Sequence, residues 1–436
     1  MKKILLWLIV LATLSGSALC AQDIAGNWQG TLHGDKGLRV VLKISKSDKS
    51  GWNAMMYSID QGPDGMAVTS ITLQGSTLKF SIDPIHGSYQ GKLSADGNSI
   101  SGIWTQGPPL PLDFQRATKE TAWLLDSSPH TLQFITVDKD VQLEVLDWGG
   151  SGRPVVLLAG LGNTAHVFDQ FAPKLAANYH VYGITRRGFG ASSAPAPANG
   201  NYSADRLGDD VLAVIAALKL NRPVLVGHSI AGEELSSIGS RYPEKVAGLI
   251  YLDAGYPYAY YDASRGDLSI DSVELQKKLD MLAGAGPREL KPLVQELLQT
   301  NLPQFEKDLQ ALQKQLQSLP EPKPGTPSSK PFKVPPIGLA ILKGEEKYTQ
   351  IKCPVLAIFA DPHDFGSMFK NDPTALATAE AIDRERTTAQ AKAFQAGVPS
   401  AHVVILPNAN HFVFKSNEAD VLREMKTFIA GLPPAK

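Results

Sequence analysis

Val224-Leu225-Val226-Gly227-His228-Ser229-Ile230-Ala231-Gly232-Glu233 is the stretch on which the fold turns. An apolar run of strand character ends in Gly227-His228, and a helix pattern begins directly after Ser229. A serine on so tight a strand-to-helix turn is held at strained backbone angles. Residues two before and two after it must then be small, and here they are Gly227 and Ala231. The helix start adds backbone N–H groups without intrahelical partners, which stabilise negative charge beside the hydroxyl. A serine that merely caps a helix needs no strand running into it. The pattern therefore marks Ser229 as a candidate nucleophile.

A serine hydroxyl attacks poorly unless a base removes its proton. Of the nine histidines, His411 follows the apolar run Val403 to Leu406 and precedes the last helix pattern, which makes it the candidate base. His228 flanks Ser229 with its side chain expected to point away, supporting the turn. The acid is open among three carboxylates. Asp364 is preferred, because an acid several residues beyond the strand Pro354 to Phe359 has room to turn toward the histidine. Asp361, next to Pro362, suits a turn, and Asp253 follows the strand Gly248 to Leu252. His363-Asp364 has no third ligand at a recognisable spacing, so no metal is expected. No cofactor is expected either. Ala159-Gly160-Leu161-Gly162-Asn163 follows an apolar strand, and the N–H groups of Leu161 and Ile230 are the candidate oxyanion donors.

Outward from this centre the pattern alternates. Apolar runs at 155–159, 180–184, 223–226, 248–252, 354–359 and 403–406 are interleaved with helix patterns such as Ala204 to Leu220 and Glu418 to Ala430. Near-continuous apolar strands alternating with helices predict an α/β unit with a mostly parallel sheet covered on both faces. Two strand-like runs, Thr131 to Val137 and Val141 to Trp148, precede it across a turn at Asp138-Lys139-Asp140. The excursion from Gly255 to Lys352 is too long for a simple connection. Its helix patterns and its Pro-rich stretch from Pro320 to Pro336 predict a cap, about residues 256–350, over the carboxyl ends of the strands.

Residues 22–117 read differently. Short alternating runs (Leu38 to Ile44, Ser70 to Leu73, Thr77 to Ile82, Ser99 to Trp104) are separated by turn signals such as Asp96-Gly97-Asn98. Period-2 alternation at this spacing predicts a small all-β barrel or sandwich. Gly26-Asn27-Trp28 resembles the opening of lipocalin-like barrels, and no acid/base cluster accompanies it. Thr118 to Pro129 reads as a connector.

Lys2 and Lys3, the apolar run Ile4 to Leu14 and the small residues Ser15 to Ala21 form a signal-peptide pattern, residues 1–21. The run is too short to span a membrane. Export to the periplasm or the exterior is expected, with no stable membrane span after cleavage. A lipid anchor on Cys20 would want a small residue before it, where Leu19 stands. Cys20 and Cys353 are the only cysteines, so stability rests on core burial and not on disulfides. In 436 residues, 42 basic side chains face 43 acidic ones, a net charge of -1. That balance argues against nucleic acid or an anionic membrane surface as partner. Hydrophobic residues are 43% and charged residues 19%, ample for a core in each of two domains.

Over about residues 130–432 the chain resembles the α/β-hydrolase superfamily. The resemblance is carried by Leu158-Ala159-Gly160-Leu161-Gly162, Arg186-Arg187-Gly188-Phe189-Gly190-Ala191-Ser192, Gly227-His228-Ser229-Ile230-Ala231-Gly232, Asp364 and Asn410-His411. Two departures stand out. Ala159-Gly160 replaces the usual His-Gly of the oxyanion loop, and Ala231 replaces the usual glycine after the nucleophile. The single-domain esterases and proline-iminopeptidase-like enzymes look most similar. The resemblance implies acyl transfer: Ser229 attacks a carbonyl, His411 moves the proton, Asp364 orients His411, and Leu161 and Ile230 hold the oxyanion. A small carboxylic ester is the expected substrate, with Tyr256, Tyr258, Tyr260 and Tyr261 as candidate pocket walls. A serine in place of an aspartate nucleophile argues against dehalogenase or epoxide hydrolase chemistry. The alternatives are amide hydrolysis of the aminopeptidase kind and a non-catalytic binding protein on the same fold. Oligomeric state is unknown from the sequence.

Overall fold

The structure, a computed structural model, describes residues 23–33, 37–47, 51–58, 65–117, 130–198, 200–318, 334–365 and 373–434. The signal-peptide pattern with Cys20, the connector at 118–129 and most of the Pro-rich stretch lie outside the described residues.

The alternating N-terminal runs form one antiparallel sheet. Its strands are β1 (Gly26–His33), β2 (Gly37–Lys46), β3 (Trp52–Ser58), β4 (Met66–Ala67), β5 (Ser70–Gln74), β6 (Thr77–Ile82), β7 (Gly87–Leu93), β8 (Ser99–Thr105) and β9 (Pro109–Arg116). They lie in the order β4-β3-β2-β1-β9-β8-β7-β6-β5, and the sheet curls into a half-barrel. One face of each strand is apolar, and these faces meet inside the curl, where Trp28, Leu42, Phe80, Tyr89, Trp104 and Phe114 are buried. The expected all-β unit is this single curled sheet. Among the described residues its edge strands β4 and β5 have no partner strand on their outer sides.

The second sheet holds β10 (Thr131–Asp138), β11 (Val141–Gly149), β12 (Pro154–Leu158), β13 (His180–Ile184), β14 (Val224–His228), β15 (Gly248–Leu252), β16 (Val355–Ala360) and β17 (Ala401–Leu406). The order is β10-β11-β13-β12-β14-β15-β16-β17. The hairpin β10–β11 is antiparallel, β11 meets β13 antiparallel, and all pairs from β13 to β17 are parallel. The central strands are buried along their whole length, because helices cover both faces. One apolar layer joins the sheet to the helices at Ala204–Ala217 and Gly232–Arg241, and the other joins it to Glu418–Gly431. Each buried Val, Leu or Ile contributes about 1.5–3 kcal/mol against exposure.

Between β15 and β16 stand the cap helices Leu268–Leu282, Pro287–Glu296, Leu302–Ser318 and Pro336–Leu342. Asp267 caps the first, its carboxylate accepting from the backbone N–H groups of Ser269 and Ile270. A helix at Pro373–Gly397 joins β16 to β17 and packs beside both strands. Among the described residues no helix is long and apolar enough to cross a membrane.

Candidate active site

Ser229 sits between β14 and the helix at Gly232–Arg241 with a positive φ of 54°. Such a φ is uncommon in a residue with a side chain and is held only where the surroundings over-determine it. They do so here. A Cβ on Gly232 would stand 2.1 Å from the Ala254 carbonyl oxygen, and one on Gly227 would stand 3.0 Å from that of Ala231. Only glycines let strand, turn and helix approach this closely. Ile230 is the second residue of the 3-10 turn Ser229–Ala231, so its N–H precedes the first helical carbonyl repeat.

The loop after β12 reaches the same point. A Cβ on Gly160 would meet the Ser229 Cβ at 3.1 Å and His228 Nδ1 at 2.9 Å, so Leu161 follows directly on the contact with the serine. Buried Arg186 fixes this loop from behind. Its Nη2 donates to the Ala159 carbonyl at 2.9 Å, and its Nε pairs with Glu234 at 2.5 Å. Arg187 pairs through two nitrogens with Asp210, at 2.6 and 2.5 Å. These ion pairs give the Arg-Arg of the 186–192 motif a structural task.

His411 follows β17 and lines one cavity of about 550 Å³ with Ser229, Tyr256, Tyr258, His363 and Asp364. His228 Nε2 donates to the His411 carbonyl at 3.0 Å and so ties the two loops together. Burial pushes the His228 pKa down to about 3, which keeps that ring neutral.

The carboxylate that meets His411 is that of Asp253, with Oδ2 2.6 Å from His411 Nδ1. Asp253 follows directly on β15 with a φ of 48° and is wholly buried. Its Oδ1 accepts from Tyr256 Oη and from the Ala360 N–H, each at 3.1 Å. Burial alone would raise its pKa, but hydrogen bonds from His363 and His411 outweigh that and hold it well below the usual carboxylate range. Asp364, preferred from sequence, is exposed at the cavity mouth, and its backbone N–H donates to the Ala409 carbonyl at 2.9 Å. Asp361 accepts from the Thr388 hydroxyl on the helix at Pro373–Gly397. The structure thus brings the third candidate, Asp253, and not the preferred Asp364, to His411. The reason is directional: the turn at Asp253 aims its side chain along the sheet edge to His411.

Two residues were not singled out for this role. His363 Nε2 is also 2.6 Å from Asp253 Oδ2, and His363 Nδ1 is 2.8 Å from Asp383 Oδ2. The ring nitrogens of His363 and His411 and the Asp253 carboxylate lie within 4.8 Å of one another. Each of the three nitrogen-to-oxygen contacts has hydrogen-bond length. A second cavity of about 460 Å³ shares Tyr256 and Tyr258 with the first and continues under the cap beside Ile270, Val273, Leu339 and Leu342. Tyr260 and Tyr261 are absent from the residues lining these two cavities. Tyr261 donates instead to Asp271 at 2.9 Å, and the Tyr260 ring packs on Phe394.

A sheet of this order, a strained serine at the end of a central strand and a histidine after the last strand define the α/β-hydrolase class of fold. A family model described as the alpha/beta hydrolase family matches residues 155–424, and the chain belongs to that family. It is 34% identical over 116 residues to fluoroacetate dehalogenase of a Burkholderia species, covering 26% of this chain and 38% of that protein. It is 30% identical over 158 residues to human (Homo sapiens) serine hydrolase-like protein 2, covering 35% of this chain and 50% of that protein. The chain thus spans half or less of the length of these curated relatives. Among solved structures it resembles a proline iminopeptidase-related protein from Thermus thermophilus, at 18% identity and a TM-score of 0.44. That match covers 70% of this chain and 99% of the other.

Proposed function

We propose that this α/β-hydrolase family member is an exported serine hydrolase that cleaves a small carboxylic ester through Ser229, His411 and Asp253. The observation that carries the reading is the Asp253–His411 contact of 2.6 Å in the cavity that also exposes Ser229. Asp253 accepts from Nδ1, which fixes the tautomer that leaves Nε2 as the base. Ser229 Oγ attacks the carbonyl carbon as its proton passes to His411. The oxyanion forms against the N–H groups of Leu161 and Ile230. His411⁺ then protonates the departing alcohol, water attacks the acyl-enzyme through the same base, and the acid product leaves with Ser229 restored. Under the cap, apolar residues (Ile270, Val273, Leu339 and Leu342) share the wall with charged ones (Arg265, Asp267, Lys343, Glu345 and Arg386), a lining that suits a small ester with an apolar and a polar part. Export rests on the pattern of residues 1–21.

The test is hydrolysis of p-nitrophenyl esters of graded chain length by the wild type and Ser229→Ala, with p-nitroanilides alongside. Loss of at least about a thousandfold in the variant is expected. Equal rates for the two proteins would defeat the reading, and faster cleavage of the anilides would move the substrate class from esters to amides.

A further inference from the structure

A triad acid serves one histidine, whereas Asp253 Oδ2 lies 2.6 Å from both His411 Nδ1 and His363 Nε2. On the far side of the His363 ring, Nδ1 is 2.8 Å from Asp383 Oδ2, and that oxygen also accepts the His363 backbone N–H at 3.0 Å. A neutral imidazole has one donor nitrogen and one acceptor nitrogen. Set between two carboxylates, it would turn a lone pair on one of them. With both nitrogens protonated, each contact becomes a charge-assisted hydrogen bond. The contacts therefore call for an imidazolium at His363.

We propose that His363 is a positioning residue of this site, a fixed cation that shares Asp253 with His411 and thereby lowers the pH at which His411 can act as a base. The proposal rests on the triad reading above. It concerns a residue that acts on His411 through Asp253.

The groups facing His363 come from four directions. Asp253 approaches from the end of β15 and Asp383 from the helix at Pro373–Gly397. The Tyr256 hydroxyl is 3.3 Å from Nε2, and the His411 ring centroid is 6.0 Å away. Asp364, its chain neighbour, and Arg386, one turn beyond Asp383, line the same cavity. The two carboxylates in direct contact dominate this set. Burial alone would lower the His363 pKa, but hydrogen bonds and charge from Asp253, then from Asp383, outweigh it and raise the value to about 9.

The sign follows. Below about pH 9 the His363 cation is present and draws on the same oxygen that must support His411⁺. Asp253 then stabilises the protonated base less, and the acidic limb of the rate profile lies at lower pH. Without the cation Asp253 holds His411⁺ harder, and a larger share of the enzyme is inactive under mildly acidic conditions.

The experiment is a pH profile of kcat/KM on a p-nitrophenyl ester for wild type, His363→Gln and Ser229→Ala, with histidine-ring NMR titrations of wild type and Asp383→Asn. Glutamine keeps an N–H donor toward Asp253 and removes the charge. The acidic limb is expected to move upward by about half a pH unit or more in His363→Gln, the size of a nearby like-charge effect. The His363 ring should remain doubly protonated beyond pH 8 in wild type and lose its proton at lower pH in Asp383→Asn. Superimposable limbs in wild type and His363→Gln would overturn the proposal. So would an ordinary His363 titration in wild type, which needs no folded variant. An inactive Ser229→Ala with an unshifted His363→Gln limb sinks the positioning role alone. An undiminished rate in Ser229→Ala sinks the triad reading and the positioning role with it.

Discussion

Asp253 carries four hydrogen bonds in a wholly buried position: His411 and His363 on Oδ2, the Tyr256 hydroxyl and the Ala360 N–H on Oδ1. A buried carboxylate stays ionised only when its lone pairs are so occupied. Its replacement by asparagine keeps the shape but offers an amide where a charge-assisted acceptor stood. Asp253→Asn is expected to lower kcat/KM by roughly 10³–10⁴-fold, the scale of losing the orienting acid of a serine triad. Asp364→Asn and Asp361→Asn, measured beside it, should stay near wild type. A full loss in Asp364→Asn with activity kept in Asp253→Asn would reverse the assignment. At this scale the sequence pointed to the cavity that Ser229 and His411 share, since each follows an apolar strand. The acid was not readable. Three carboxylates follow two strands, and the choice depends on a backbone turn at φ 48° that no local residue pattern announces. His363 escaped for a related reason: its meaning comes from Asp383, twenty residues away on a helix.

Among elements, the strand-to-helix turn around Ser229 is held by contacts that leave no room for a methyl group. The loop after β12 touches it through Gly160, where an added Cβ would come within 2.9 Å of His228 Nδ1. That ring is buried and tied to the His411 carbonyl, so it cannot swing aside. Gly160→Ala must instead displace the loop that presents Leu161. The expected result is a fall in kcat of roughly tenfold or more with KM little changed, part of the 10²–10³ attached to one oxyanion donor. A KM effect with constant kcat would show that the loop contacts substrate instead of the transition state. Most elements of the α/β unit were readable because their strands are continuous apolar runs. The helix at Pro373–Gly397 was not. It is rich in Ala and Thr, and only Thr387, Gln390, Ala391 and Phe394 are buried on it, so it shows no long apolar stripe. Yet it supplies Asp383. Likewise β7 and β9 were not singled out: Gly87 and Gly91 in one and Pro109 and Pro111 in the other weaken the strand character, although burial alternates along both.

Across the whole molecule, the outer face of β1 to β3 lies against the α/β unit, a contact that neither half of the sequence reveals alone. Lys43 Nζ donates to the Ser192 carbonyl at 2.6 Å, and Asn27 Nδ2 donates to that of Ala191 at 2.8 Å. Val41 and Tyr57 bury apolar surface with Ala191. These residues end the loop whose Phe189 packs in one cluster with Ile230 beside Ser229. The β-sheet thus braces the active-site loop from behind. Arg39 closes the contact, its Nη2 2.8 Å from Asp169 Oδ2, with side-chain exposures of 11% and 7%. Burial would raise the Asp169 pKa, but hydrogen bonds from His130 and His166, and then the Arg39 charge, hold it far below the ordinary range. Removing one partner of a buried ion pair leaves the other uncompensated, which typically costs ~3–5 kcal/mol. Arg39→Met should therefore lower stability toward the smaller end of that range, since the two histidines still face Asp169. Calorimetry is the measurement, with a fall in melting temperature and separation of one unfolding transition into two as the expected signs. The exposed Lys46–Asp23 pair, at 69% and 54% exposure, offers the comparison. Lys46→Met removes an equal charge from the same strand but should leave the transition in place, because solvent screens such pairs. Equal shifts in the two variants would mean that net charge, and not the Arg39–Asp169 contact, joins the sheet to the α/β unit.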